Sequence, residues 1–330
     1  MKALALVFFG LWGAVLPAVA APEGKRLEID AVNNADLSSK DEKGISPALV
    51  KAQILLDRAR FSPGVIDGYR GDNLQSALKA FEAAHNLQVD GELDDEVWAK
   101  LNERSSDPVL TEYTIGVDDV KGPFVKEIPG DLEEQADLER LAYTGPDELL
   151  AEKFHMDRDI LKTLNPDKSF SKSGTSIVVA NIKAKPDEEL KAEKIDKIEV
   201  LKSERILRVL AEDGSIIAVY PASIGSEEKP APSGTHTVVA VAPNPTYTYN
   251  PEYGFKGVKA KEKFVVKPGP NNPVGSTWID LSIESFGIHG TPEPEKVGKA
   301  YSHGCVRLTN WSVEELGKMV RKGTPVVFLD

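Results

Sequence analysis

With one cysteine in 330 residues, the chain can form no internal disulfide. That thiol and the five histidines are scattered, with no ligand pair at the close spacing of a zinc site, so no metal centre is expected. Positive charge is also short: 40 Lys and Arg face 52 Asp and Glu, a formal net charge of −12. Acidity of that size argues against nucleic acid as a partner, because phosphates select basic surfaces. No repeat covers the chain. Its one apolar stretch of near-membrane length is residues 3–21, which follows Lys2 and ends in Pro17 and Ala18-Val19-Ala20. That small-x-small ending is the form of a signal-peptidase site, so residues 1–21 read as a signal peptide, with an uncleaved membrane anchor as the alternative. No cysteine follows the run, which excludes a lipid-modified N-terminus. A lone thiol also suits an oxidising compartment, where a second one could pair with it.

A chain of this length is too long for one typical core and should divide into two or three domains. Residues 22–44 are polar and read as a flexible stalk. Residues 183–195 are charged, hold Pro186 and lack apolar periodicity, which predicts a linker or a short exposed helix. Beyond them, residues 197–201, 206–211, 215–223, 235–243, 277–281 and 285–289 form short segments rich in β-branched side chains, separated by Gly, Asp or Pro. Such spacing predicts a mostly antiparallel β-domain carrying one or two helices, with a hairpin at Asp213-Gly214. Ser312 followed three residues later by Glu315 is a capping box, so a helix should begin near Ser312, bury Leu316, Met319 and Val320, and end around Lys322-Gly323. Residues 325–329 read as a closing strand. Lys256, Lys259, Lys261, Lys263 and Lys267, with only Glu262 among them, are a solvated loop or, if they overhang a site, an attractor of carboxylates.

The single cysteine, Cys305, sits in Ser302-His303-Gly304-Cys305-Val306-Arg307, sixteen residues after His289 in Ile288-His289-Gly290-Thr291. A free thiol titrates near pH 8.5, so a nearby base or cation is needed to supply thiolate at neutral pH. Two histidines and an arginine are within reach in sequence. The plain alternative is a small buried apolar residue, the usual fate of a lone cysteine. Gly304 favours chemical use, because a residue without Cβ lets a carbonyl approach and leaves backbone N–H groups free to face an oxyanion. Arg307 could hold a carboxylate through two hydrogen bonds, or stiffen the loop by a salt bridge. Ser302 reads as a loop-capping hydroxyl. His85, His155 and His236 read as ordinary histidines.

Residues of about 197–330 resemble the catalytic domain of the L,D-transpeptidases, the YkuD-type enzymes of bacterial cell walls. The likeness rests on His289, the gap, and Ser302-His303-Gly304-Cys305-Val306-Arg307. It is extended by Pro230-Ala231-Pro232-Ser233-Gly234 and by Pro268-Gly269-Pro270-Asn271-Asn272-Pro273-Val274-Gly275. The resemblance implies that Cys305 is the nucleophile, His289 the general base and the Gly290 carbonyl the group that orients His289. His303 would shape the loop, and Gly304 and Cys305 would supply oxyanion donors. No cofactor is implied.

Residues 49–101 resemble a small three-helix peptidoglycan-binding domain, through Val50-Lys51-Ala52-Gln53-Ile54-Leu55-Leu56, the turn Phe61-Ser62-Pro63-Gly64-Val65-Ile66-Asp67-Gly68, a helix over residues 75–85, Val89-Asp90-Gly91 and Trp98. Residues 113–181 are similar to a LysM module, a βααβ glycan-binding unit, in Asp147-Glu148-Leu149-Leu150, Leu164-Asn165-Pro166 and Ile177-Val178-Val179. Its first strand is either Tyr113-Thr114-Ile115, followed by an acidic insertion, or a segment next to Tyr143. A mere spacer is the alternative reading.

The expected architecture is therefore a multidomain α+β chain. It runs as a signal peptide (1–21), a stalk (22–44), a peptidoglycan-binding-like helical domain (45–104), a LysM-like module with insertion (105–182), a linker (183–195) and a mostly antiparallel catalytic domain (196–330). The resemblance implies a periplasmic or secreted, wall-associated enzyme. It would form a thioester with a tetrapeptide stem, expel the terminal D-amino acid and pass the acyl group to an amine of another stem or of a wall-attached protein. Peptidoglycan stem peptides and glycan would be its partners, with membrane contact only through an uncleaved signal segment. A carboxypeptidase or amidase could use the same residues, and a non-catalytic wall-binding scaffold is the alternative of another class.

Overall fold

The computed structural model describes residues 27–39, 44–103, 107–183, 185–226, 229–253, 260–300 and 304–330. The expected signal peptide, Lys256, Lys259, Ser302 and His303 lie outside the described residues.

The first unit holds a short helix α1 (Ile29–Asn33) and three longer ones, α2 (Pro47–Arg58), α3 (Asp72–Ala84) and α4 (Asp95–Glu103). α2 starts where it does because the Ser46 side chain accepts the Leu49 N–H and Pro47 occupies the first turn, where a missing N–H costs nothing. Leu49, Val50, Ile54 and Leu56 then face Leu74, Leu78 and Phe81 of α3 in one apolar core. Gln53, also buried, holds the following turn: its Oε1 accepts from the backbone N–H of Asp67 at 3.1 Å and of Gly68 at 2.8 Å.

Residues 27–39 correct the flexible-stalk expectation. Val32 is fully buried in the helical core. Asn33 exchanges two hydrogen bonds with Leu110, at 3.1 and 2.8 Å, and the Lys51 ammonium donates to the Asn33 and Ala35 carbonyls. A few anchoring side chains suffice to fix a segment whose average composition is polar.

The second unit is β1 (Leu110–Thr114), α5 (Val117–Lys121), α6 (Leu132–Asp137), α7 (Pro146–Lys153), α8 (Arg158–Leu164) and β2 (Ser176–Ala180). β1 and β2 pair antiparallel, from Leu110 opposite Ala180 to Thr114 opposite Ser176. Of the two segments considered, the one at Tyr113 forms the strand that pairs with β2, and residues 115–145, with α5 and α6, separate it from the α7–α8 pair. The two units share one core and are stitched by Ile66 N–H to His155 O (2.8 Å) and Asp157 N–H to Ile66 O (3.0 Å). α9 (Asp187–Ala192) follows, anchored through the buried Leu190 to the core of the third unit.

That third unit contains β3 (Ile195–Leu201), β4 (Ile206–Ala211), β5 (Ile216–Pro221), β6 (Ser223–Ile224), β7 (Gly234–Pro243), β8 (Tyr247–Tyr249), β9 (Phe264–Val266), β10 (Thr277–Leu281), β11 (Gly287–His289), β12 (Val306–Arg307), α10 (Asn310–Met319) and β13 (Pro325–Leu329). Among the described residues its main sheet runs β5-β4-β3-β13-β7-β10-β11-β12-β6, parallel only at β13 with β3 and at β11 with β12. The expected mostly antiparallel β-domain is what forms, with the β4–β5 hairpin turning at Asp213-Gly214. α10 begins before Ser312, because Thr309 is the cap and its Oγ1 accepts the Ser312 N–H at 3.3 Å. The Ser312 hydroxyl instead accepts from Thr309.

The first unit covers the β5 edge. Val219 N–H donates to Arg60 O (2.8 Å) and Ser62 N–H to Val219 O (2.9 Å), which occupies backbone groups an open edge would leave unpaired. Beside this seam the buried Arg60 guanidinium meets Glu315 at 2.8 Å and Glu193 at 3.0 Å.

Candidate active site

Two neighbouring strands bring the candidate residues together. β11 and β12 run parallel with Ile288 beside Val306 and His289 beside Arg307. Side chains alternate across a strand, so Ile288 and Val306 enter the β-domain core, both essentially without exposure. His289 and Arg307 take the opposite face. Cys305 directly precedes β12, and the Arg307 charge acts on both the thiol and the imidazole.

His289 is 5% exposed, and its Nδ1 lies 2.6 Å from the Gly290 carbonyl oxygen. A carbonyl can only accept, so Nδ1 carries the proton and Nε2 keeps its lone pair. The ring stacks on Trp278, its cross-strand partner, with centroids 5.6 Å apart and planes 15° apart. Burial, reinforced by Arg307 and opposed by the Gly290 carbonyl, drives the imidazole down to a pKa of about 3. The resting ring is neutral and able to accept a proton.

Cys305 is half-buried, with Sγ 3.8 Å from Ser285 O and the Gly287 N–H donating to the sulfur. Burial pushes the thiol up, while the Gly287 N–H and the Arg307 charge pull it back. Both groups therefore rest uncharged, one a thiol and the other a neutral imidazole. Gly304 has φ +111°, a conformation that L side chains rarely adopt, and presents no Cβ toward the Phe286 ring. Tyr247, on the two-stranded flap of β8 and β9, feels the thiol: burial first, then Tyr249 and Cys305, raise its hydroxyl to about 12.

Arg307 is half-buried, and its Nε has no hydrogen-bond partner among the described residues. It lines a cavity of about 520 Å³ together with Thr291 and Glu293. The opposite wall is the insertion of the second unit, through Ile128, Leu132 and Gln135. Backbone bonds clamp that insertion onto the segment after β9: Leu141 N–H to Pro268 O (3.0 Å) and Asn271 N–H to Leu141 O (2.9 Å). Asn271 Nδ2 adds a bond to Ala142 O at 3.0 Å.

Of the residues singled out in the sequence, His289, Gly290, Gly304, Cys305 and Arg307 lie on or beside the paired strands β11 and β12, with the Arg307 charge reaching both the imidazole and the thiol, while Ser302 and His303 fall outside the described residues. Sequence reasoning missed Trp278, Tyr247 and Asn310. Asn310 could have been noticed from its place three residues after Arg307. The other two carry no local signal, because strand pairing and flap closure bring them in.

Residues 195–328 match the L,D-transpeptidase catalytic domain (YkuD), and residues 46–101 match the "Putative peptidoglycan binding domain". The chain is 30% identical over 181 residues to the "Putative L,D-transpeptidase YkuD" of Bacillus licheniformis, spanning 54% of this chain and 90% of that protein. It is 29% identical over 192 residues to the "Probable L,D-transpeptidase YbiS" of Escherichia coli K12, spanning 57% of this chain and 61% of the relative. Among solved structures, an L,D-transpeptidase from Mycobacterium smegmatis is 20% identical, covering 41% of this chain and 59% of that one with a TM-score of 0.34.

Proposed function

The chain belongs to the YkuD family of L,D-transpeptidases, and on that premise we propose that it remodels peptidoglycan from outside the cytoplasm through a thioester on Cys305. Nε2 of His289 takes the thiol proton, and Sγ attacks the carbonyl of the third stem residue. The new S–C bond is completed as the C–N bond to the terminal D-amino acid breaks, and the proton on Nε2 leaves with the departing amine. An acceptor amine then attacks the thioester, gives its proton to Nε2 and restores the thiol. Backbone N–H groups at Gly304 and Cys305 stabilise the oxyanion, and Arg307 holds a substrate carboxylate. Ser302 and His303 shape the loop before the thiol.

The observation that carries this reading is the 2.6 Å contact from His289 Nδ1 to the Gly290 carbonyl. It leaves Nε2 as the ring nitrogen with a lone pair for a proton. Burial keeps Nε2 unprotonated at the pH where the wall is assembled but makes it a weak base, so the proton moves to it in concert with attack of Sγ on the carbonyl. The first unit supplies wall affinity in this scheme, and the LysM-like second unit adds glycan contact.

The test is to incubate the full chain with a tetrapeptide-bearing muropeptide and follow it by intact mass. Expected are a transient adduct on Cys305, release of the terminal D-residue and a joined product, all lost in Cys305→Ala. Release without joining would make water the acceptor and the protein a carboxypeptidase. An unmodified protein that still sediments with sacculi would leave only a scaffold.

A further inference from the structure

Asn310 begins α10 and is 2% exposed. Its Oδ1 accepts the backbone N–H of Thr291 and of Ser276, each at 3.1 Å. Thr291 directly follows Gly290, whose carbonyl receives the His289 proton. Neither Gly275 nor Gly290 has room for a Cβ beside the Asn310 carboxamide, so that side chain and the two glycines lock the turn. The other half of the carboxamide needs acceptors. Nδ2 donates to Pro270 O at 3.1 Å and to the Glu152 carboxyl, at 3.0 Å to Oε2 and 3.3 Å to Oε1.

Glu152 does not belong to the catalytic domain. It lies on α7 of the second unit, 158 residues earlier in the chain, is 8% exposed, and also accepts from the Tyr143 hydroxyl at 3.2 Å. We infer that Glu152 is a positioning residue for the active site: through Asn310 it fixes the Gly290–Thr291 turn, and with it the orientation of the His289 imidazole. The second unit is then a working part of the enzyme as well as an attachment module. This inference rests on the reading of His289 as the base.

The groups facing Glu152 are the Tyr143 hydroxyl, Glu148 on its own helix, and Asn310 and Glu314 on α10. Burial and the two neighbouring carboxylates raise its pKa to about 8, against the pull of the Asn310 and Tyr143 hydrogen bonds. A neutral carboxyl therefore holds Asn310 at neutral pH. Ionisation above that value places an uncompensated charge in the seam between the units.

The experiment compares the full wild-type chain with Glu152→Ala and Glu152→Gln, by ¹⁵N-histidine NMR of the His289 Nδ1–H and by steady-state acyl transfer. In Glu152→Ala that proton should exchange with water about tenfold faster, with kcat down about tenfold and KM changed less than about twofold. Glutamine has the shape of the protonated acid, so Glu152→Gln should keep both properties. Unchanged exchange and unchanged kcat in Glu152→Ala would overturn the inference. Should that variant fail to fold, unchanged exchange and unchanged kcat in Glu152→Leu, which fills the space but removes the acceptor for Asn310 Nδ2, would overturn it equally. A His289 proton that responds to Glu152→Ala in a protein whose wild type transfers no acyl group would uphold the positioning and refute the activity.

Discussion

The Nδ1–H of His289 is donated to the carbonyl oxygen of the very next residue, Gly290, 2.6 Å away, and the N–H at the other end of that same peptide, Thr291's, is donated to the Oδ1 of buried Asn310 at the head of α10. A Cβ on Gly290 would run into the Asn310 carboxamide oxygen. Gly290→Ala should therefore rotate the imidazole away from Cys305 and lower kcat/KM by about 10²-fold or more, since ångström-scale misplacement of a reacting group has that effect. Steady-state kinetics beside a thermal melt checks this, and the expected fall exceeds anything the melt explains.

Stability should respond to pH through two buried groups of opposite sign. His289 is depressed from 6.5 to about 3, so the unfolded chain binds more protons between those values. Its contribution is complete above 6.5 and is lost as pH falls toward 3. Glu152 is raised from 4.5 to about 8, so the native state holds the extra proton. That contribution is complete below 4.5 and is lost as pH rises toward 8. Urea midpoints of wild type and Glu152→Gln measured from acid to alkaline pH should diverge over the second window, with only wild type declining.

Arg307→Lys keeps the charge but loses the planar fork that pairs with a carboxylate. KM for a stem peptide should rise about tenfold with a smaller effect on kcat. An unchanged KM with a lowered melting temperature would instead make Arg307 a brace against Glu293, and comparison of the two parameters separates the cases.

Gly287 lies against the Trp278 indole, which stacks on His289. An added methyl meets ring atoms and has no empty space to enter. Gly287→Ala should destabilise the chain by about 1–3 kcal/mol, the usual effect of overpacking, and shift the tryptophan fluorescence. Denaturant unfolding followed at that signal measures both.

Arg60 joins the first unit to α9 and α10 through Glu193 and Glu315. Arg60 is buried but both carboxylate partners keep some contact with water, so Arg60→Ala should reduce stability by about 1–3 kcal/mol. kcat should stay within about twofold of wild type, because none of these groups touches the thiol face. Denaturant unfolding and turnover on the same preparation provide the check.

Much of the β-domain is legible in the chain: the strands over residues 206–211, 277–281 and 325–329 fall where β-branched runs end at turn residues, with no long-range information needed. Cys305, His289, Gly290 and Arg307 are legible for the same local reason, lying on two strand ends with their motif residues beside them. The start of α10 is not, because Thr309 and Ser312 both offer a capping hydroxyl and only the approach of the chain decides between them. Residues 27–39 misled by composition, since only a few apolar side chains, Leu27, Val32 and Ala35, are buried there. Trp278, Tyr247 and Glu152 are invisible beforehand, as each reaches the site by a strand pairing, a flap or a seam between units.

The order of side chains along the chain by itself determined which atoms can do chemistry, a thiol, an imidazole, a carbonyl and a guanidinium, and which alternate positions turn inward. Only the tertiary structure decided their protonation and aim. The cost of charging a buried imidazole or carboxyl depends on every atom that displaces water around it, and those atoms come from segments far apart in sequence. His289 is neutral because burial, reinforced by Arg307, penalises its charge, and Glu152 is protonated because burial in the seam between two separately coded units outweighs the hydrogen bond from Asn310.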